Sequence, residues 1–218
     1  MSYLISVEGV DGAGKSTLVN ELVNLLHAEE KGHWVYASKE PGSPWAYPNP
    51  KIREMVLETP NFKPFERELL FYVDASVHSR FMDNQGDDTI VVSDRGLWTH
   101  HAYLRAYLKT KQIDWDEYAI CTRLIERTSK KPDIVIYIDG DTTLMRERNA
   151  GKKVDAIEKN GNAYFDAVLE TFRDLVQERT RLCKPLICLD GRASFDENVI
   201  KSYNYIRNVR NVTNEGNQ

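Results

Sequence analysis

The chain has 218 residues, 41% hydrophobic and 28% charged, with a net charge of −4, the balance of an ordinary soluble globular protein. That charge offers no basic footprint for duplex binding, so stable nucleic-acid binding is not expected. No apolar run approaches ~20 residues, so no membrane is expected as a partner, and three cysteines without C-x-x-C spacing (Cys121, Cys183, Cys188) fit a reduced, cytoplasmic chain, in the host cytoplasm if viral.

Short apolar runs alternate with longer helical patterns. "YLISVE" (3–8) reads as a buried strand, and 15–32 as a helix with Leu18, Leu22, Leu25 and Leu26 on one face, stopped at Gly32. "HWVYAS" (33–38) is a second strand, followed by a proline- and glycine-marked loop, "EPGSPWAYPNP". A short helix, "KIREMVLE", and a long one beginning at "PFERELLFYVDASVH" lead to a third strand, "DTIVVSD" (88–94). Helical patterns over 98–109 and 114–129 precede a fourth strand, "PDIVIYID" (132–139). Helices then bracket the charged segment "RNAGKKVDAIEKNG", before a fifth strand, "PLICLD" (185–190), and a closing helix from about 195. This alternation predicts an α/β fold, a five-stranded parallel sheet with helices on both faces and ligands at the strands' carboxyl ends. One domain is expected over 1–210, with a small lid at about 146–160 and a polar, frayed tail at 211–218.

"GVDGAGKST" (9–17) fits GxxxxGK[ST], with Gly9, Gly14, Lys15 and Ser16 in the fixed places, after a strand and before a helix. The backbone N–H groups from Gly9 through Val10, Asp11, Gly12, Ala13 and Gly14 to Thr17 are expected around the phosphates of ATP, because glycines let the chain turn its amides inward and the following helix presents its positive end. Lys15 should reach the outer phosphates, and the Ser16 hydroxyl should ligate Mg²⁺.

Four segments make the chain resemble the thymidylate kinases, a group of nucleoside monophosphate kinases with the P-loop kinase fold. "VEGVDGAGKSTL" is similar to their EGxDGxGKST, "KEPGS" to REPGGT, "LLFYVDASVH" to LLFxADRxxH and "SDRGLWTHHAYL" to DRYxxSSxAYQ. The resemblance implies ATP as phosphate donor, Mg²⁺, nucleotide substrates and a possible homodimer through the long helix. It makes Arg95 the clamp on the acceptor 5′-phosphate and Asp94 a Mg²⁺ ligand beside Ser16. Asp11 would accept the sugar 3′-OH, Tyr103 would crowd a 2′-OH, and Phe71 would pack on the base. Lys39 and Arg53 would be secondary phosphate contacts. Arg148, Lys152 or Lys153 would bring the lid's charge over the migrating phosphoryl group, since the family's lid arginine is Ala156 here. Arg192, after the last strand, would edge the donor adenine.

The base-reading set departs from the family. Its thymine-reading arginine is Ala75, its DRY tyrosine is Gly96, and the base-facing serine or asparagine is His100. Asp74 and His100 are the candidates to replace the lost fork. The expected reaction is therefore transfer of the ATP γ-phosphate to a deoxynucleoside monophosphate with an altered base pocket, such as 5-hydroxymethyl-dUMP. A deoxynucleoside kinase acting on a 5′-OH, a kinase of modified bases within DNA and a non-enzymatic ATP binder are the alternatives.

Overall fold

The structure, a computed structural model, describes residues 2–29, 31–42, 50–59, 61–151 and 157–215. The strands are β1 (Tyr3–Glu8), β2 (Trp34–Lys39), β3 (Thr89–Asp94), β4 (Ile134–Asp139) and β5 (Leu186–Asp190). The helices are α1 (Lys15–Glu29), α2 (Pro50–Glu58), α3 (Pro64–Asp83), α4 (Leu97–Lys109), α5 (Trp115–Thr128), α6 (Thr142–Asn149), α7 (Asn162–Arg181) and α8 (Phe195–Glu215). All five strands are parallel, in the order β2-β3-β1-β4-β5. α1 packs across β1, β2 and β3 and beside α8, while α4 packs against α7 and α5. Covered sheets of this kind need strands that are apolar on both sides. Accordingly, every residue of β3 is buried, and only the last residue of β4 is exposed.

Register decides where the chemistry can sit. β1 lies at the centre, and its end at Val7 pairs with Asp94, which pairs in turn with Lys39. The chain leaves β1 through the loop 9–14 and enters α1, so that loop, Asp94 and Lys39 meet at one edge of the sheet. This is the carboxyl edge where α/β sheets bind ligands.

α8 continues to Glu215, so the helix runs through residues 211–215 of the tail set apart on sequence grounds. Val209 still packs on the core one turn earlier, and that anchorage carries the helix outward. On α3, Leu69 and Val73 stay exposed, on the helix expected to serve as an interface. Among the described residues, no helix is long and apolar enough to cross a membrane.

Candidate active site

The loop after β1 is built on left-handed glycines. Gly9 has φ 144°, and a Cβ there would stand 2.7 Å from the Ile138 carbonyl oxygen, so no side chain fits. Gly12 and Gly14 also have positive φ, at 79° and 97°. Lys15 folds back under the loop, and its Nζ donates to the Val10 carbonyl at 2.8 Å. Burial and the nearby Arg95 charge push its ammonium down to about 8, against the pull of Asp11 and Asp94. Ser16 Oγ donates to Asp94 Oδ2, and Lys39 Nζ lies 3.7 Å from the same oxygen. A cleft of about 1140 Å³ opens over these groups, lined by the loop, Lys39, Arg53, Asp94, Arg95 and Arg148. Arg148 reaches in from α6. It donates to the carbonyls of Gly12 at 3.2 Å, Ala13 at 3.3 Å and Gly191 at 2.7 Å.

A second cleft, of about 560 Å³, adjoins the first and shares Asp11, Arg53 and Arg95 with it. Arg95 sits just beyond β3 with φ 79°, an unusual conformation for a residue with a side chain. Its guanidinium donates to Asp11, to the Gly9 carbonyl at 3.3 Å and to Thr99 Oγ1 at 3.3 Å, and stands 5.4 Å from the Tyr103 ring centre. Tyr103 OH donates to the other Asp11 oxygen at 3.2 Å. Burial opposes the charge on Asp11, but Arg95 and Lys15 outweigh it and hold the carboxyl well below the usual range. Deeper in, the walls are Phe71, His100, Leu57, Glu40 and Glu68, with Phe71 and His100 edge to face at 6.1 Å between ring centres.

The family model described as thymidylate kinase matches residues 7–185. The chain belongs to the thymidylate kinase family. A thymidylate kinase of Fervidobacterium nodosum is 30% identical over 206 residues, 92% of this chain and 98% of that protein. One from Francisella philomiragia subsp. philomiragia is 30% identical over 183 residues, 81% of this chain and 85% of its own. Among solved structures, deoxyadenosine kinase from M. mycoides with bound dATP superimposes with a TM-score of 0.69, covering 94% of this chain and 99% of that one. At 17% identity, that likeness speaks for the fold alone. The chain is thus an ATP-dependent nucleotide kinase of the P-loop fold.

In this kinase most residues singled out from the sequence come together. Lys15, Ser16, Thr17, Lys39, Asp94 and Arg148 line the phosphate cleft, and Phe71, His100 and Tyr103 the second one. Asp74 and Ala75 do not face that second cleft. Asp74 is buried and accepts the Gly42 N–H at 2.8 Å, so it fixes the loop after β2. The Ala75 methyl is buried in packing, short of the cleft wall. Arg192 is also outside both clefts, held 3.3 Å from Asp141 and 3.5 Å from Glu147. Lys152, Lys153 and Ala156 lie outside the described residues, with the middle of the expected lid.

Three carboxylates escaped the sequence reading. Glu8 ends β1, wholly buried, and accepts the N–H groups of Trp98 at 3.3 Å and Thr99 at 3.1 Å in the first turn of α4. It thereby fixes the helix that carries Thr99, His100 and Tyr103. Burial pushes its carboxyl above the usual range, although Thr99 and Ser6 hydroxyls also bond it. It also explains Gly96, where a Cβ would meet Ser6 Oγ at 2.9 Å and Glu8 Oε1 at 3.4 Å. Glu40 lies between two imidazoles, with His78 Nδ1 at 2.6 Å and His100 Nε2 at 3.3 Å. Glu68, on α3 one turn before Phe71, accepts from Tyr72 OH at 3.2 Å. Burial pushes its carboxyl up to about 7, even though His100, Tyr72 and Arg67 favour the charge.

The Glu40 cluster gives a pH dependence with a definite sign. Burial works against its charge, but the hydrogen bonds from His100 and His78 prevail and bring its carboxyl from 4.5 to about 2. A depressed carboxyl stabilises the fold above its unfolded value and loses that contribution as pH falls towards the folded value. Urea unfolding is therefore expected to lose about 3 kcal/mol more between pH 5 and pH 2 in the native chain than in Glu40→Gln. Parallel curves for the two proteins would remove Glu40 from the acid response.

Proposed function

We propose that this kinase transfers the γ-phosphoryl group of ATP to the 5′-phosphate of a deoxynucleoside monophosphate, a dTMP-like pyrimidine whose pocket admits a modified base such as 5-hydroxymethyl-dUMP. The observation that carries this reading is the junction of the two clefts at Asp11, Arg53 and Arg95. A triphosphate on the loop and a monophosphate in the second cleft would bring their anionic ends together there, beside two guanidinium groups. Planar guanidinium forks suit phosphate oxygens.

In the proposed reaction an acceptor phosphate oxygen forms a new bond to the γ-phosphorus. The bond from that phosphorus to the β-bridging oxygen breaks, and ADP leaves. A phosphate monoester is already ionised near neutral pH, so no strong base is needed. Lys15 and Arg148 supply charge on the donor side, Arg95 orients the acceptor, and Asp11 with Tyr103 receives the sugar. The phosphate cleft also fits a magnesium ion. Asp94 Oδ1 is buried without a hydrogen-bond partner among the described residues, and Ser16 Oγ stands on the other oxygen of the same carboxylate. Hard oxygen donors of this kind suit Mg²⁺, which keeps waters and phosphate oxygens as its other ligands. Ser16 and Asp94 would hold it, and it would neutralise charge on the donor phosphates.

A 5′-OH acceptor fits less well. It needs a free carboxylate base beside the hydroxyl. Asp94, the candidate from the sequence, lines the phosphate cleft, and in the acceptor cleft Asp11 is taken up by Arg95 and Tyr103 and Glu40 by two imidazoles. ADP release with dTMP, 5-hydroxymethyl-dUMP and thymidine tests the reading. The monophosphates should be consumed and thymidine left untouched; the reverse pattern overturns it.

A further inference from the structure

The second cleft lacks the arginine fork of the family motif and is lined by a buried carboxylate. Position 75, where the family's arginine would stand, holds an alanine buried short of the cleft. Two turns earlier on α3, Glu68 lines the cleft, one turn from Phe71 on the same helical face. It is 1% exposed, and among the described residues no salt bridge reaches it, although His100 and Arg67 stand near enough to favour its charge. Tyr72 OH is its one hydrogen-bond partner among the described residues, which leaves most of the carboxylate's accepting capacity unused. A buried carboxylate in that condition is costly unless something else donates to it.

Away from the junction with the phosphate cleft, where Arg53 and Arg95 stand, the base end supplies no donor fork, and His100 turns its Nε2 to Glu40. Glu40 is an acceptor already satisfied by His78 and His100, and Leu57, Pro41, Ile157 and Phe71 are apolar. Thymine suits such a wall poorly. Its ring N–H is flanked on both sides by carbonyl oxygens, so a carboxylate that approaches the N–H also meets a neighbouring acceptor. An exocyclic amino or hydroxymethyl group projects a polar hydrogen clear of the ring, where a carboxylate oxygen can take it.

We propose that Glu68 is the base-reading residue of this kinase, and that its preferred acceptor carries a polar hydrogen outside the ring, on an amino or hydroxymethyl group, which this carboxylate accepts. The inference rests on the monophosphate-kinase reading above and narrows it. Burial lifts this carboxyl to about 7, so it accepts as an anion above that pH, and assay at about pH 8.5 keeps it charged. Charge-assisted hydrogen bonds are the strong ones, and sites built around a polar contact discriminate against ligands that lack it.

The test is kcat/KM for dCMP, 5-hydroxymethyl-dUMP, dUMP and dTMP in the native chain, Glu68→Gln and Tyr72→Phe, each checked for folding by thermal melting. The native chain should favour dCMP or 5-hydroxymethyl-dUMP over dTMP and dUMP by at least about tenfold. The arm that wins identifies the source of the hydrogen. Glu68→Gln keeps the shape and can still accept from Tyr72, but it also donates, so the preference should fall to within about threefold. Tyr72→Phe should keep the preference, since Tyr72 only supports Glu68 from behind. A native preference for dTMP, or a preference that survives Glu68→Gln, overturns the inference and leaves the kinase reading standing. Turnover of nucleosides with no monophosphate consumed overturns both.

Discussion

Lys15→Ala is expected to lower kcat by about 10²–10³-fold at saturating ATP and acceptor, or roughly 3–4 kcal/mol of transition-state stabilisation. The ammonium is 5% exposed and anchored on the Val10 carbonyl, in the floor of the phosphate cleft. Such a group needs no reorganisation when charge develops on the migrating phosphoryl group, and its value rises where water is excluded. Its removal also takes the shorter of two hydrogen bonds from the Val10 carbonyl and leaves it the Ala13 N–H at 3.3 Å. Lys15→Arg should not rescue the loss, because the longer, forked side chain cannot occupy the same buried position under the loop. Stopped-time assays of ADP formation measure the effect. A Lys15→Ala variant within about tenfold of the native rate would remove the loop from catalysis.

The parts of the site that were legible in the sequence are those whose geometry is local. The spacing from Gly9 to Ser16 specifies a loop by itself, because the glycine conformations and the helix that follows are encoded within a few residues. Asp94 and Arg95 were legible as well, since the end of an apolar strand in a parallel sheet marks the ligand edge. Helix faces were read less well. Asp74 lies about 100° around α3 from its neighbour Ala75, and that rotation turns its carboxylate towards the Gly42 N–H. Alanine is too short to reach the cleft from the face it shares with Phe71. The same i, i+3 spacing that links Glu68 to Phe71 would have pointed to Glu68, and an ionisable residue there was the available signal. Glu8 had a signal too, a carboxylate closing a strand that is otherwise apolar. The Glu40, His78 and His100 cluster had none. Its members come from β2's end, α3 and α4, up to 60 positions apart, and only the packed tertiary structure joins them.

The largest effect on the acceptor side is expected at Arg95. Arg95→Ala should reduce kcat/KM for the monophosphate by about 10³-fold, near 4 kcal/mol at about 1.4 kcal/mol per decade. It should change the KM for ATP by less than about threefold, since the donor loop loses Arg95 on Gly9 and Asp11 but keeps its glycine turns and the Lys15 bond to Val10. The position carries its own argument for function. A left-handed φ of 79° at a residue with a side chain costs of order 1 kcal/mol that glycine would avoid. A fold free to relax would relax there. The conformation instead holds a guanidinium on the Gly9 carbonyl, Thr99 and Asp11, at the junction of both clefts. Arg95→Lys keeps the charge but gives up the planar fork, so it should recover only part of the loss and remain at least about tenfold below native. Full activity in Arg95→Lys would reduce the residue to a point charge, and full activity in Arg95→Ala would move the acceptor phosphate elsewhere. Loss of ATP affinity in step with acceptor affinity would instead mean that the Arg95 and Asp11 pair holds the donor loop in shape. The separate KM values for the two substrates distinguish these outcomes in one experiment.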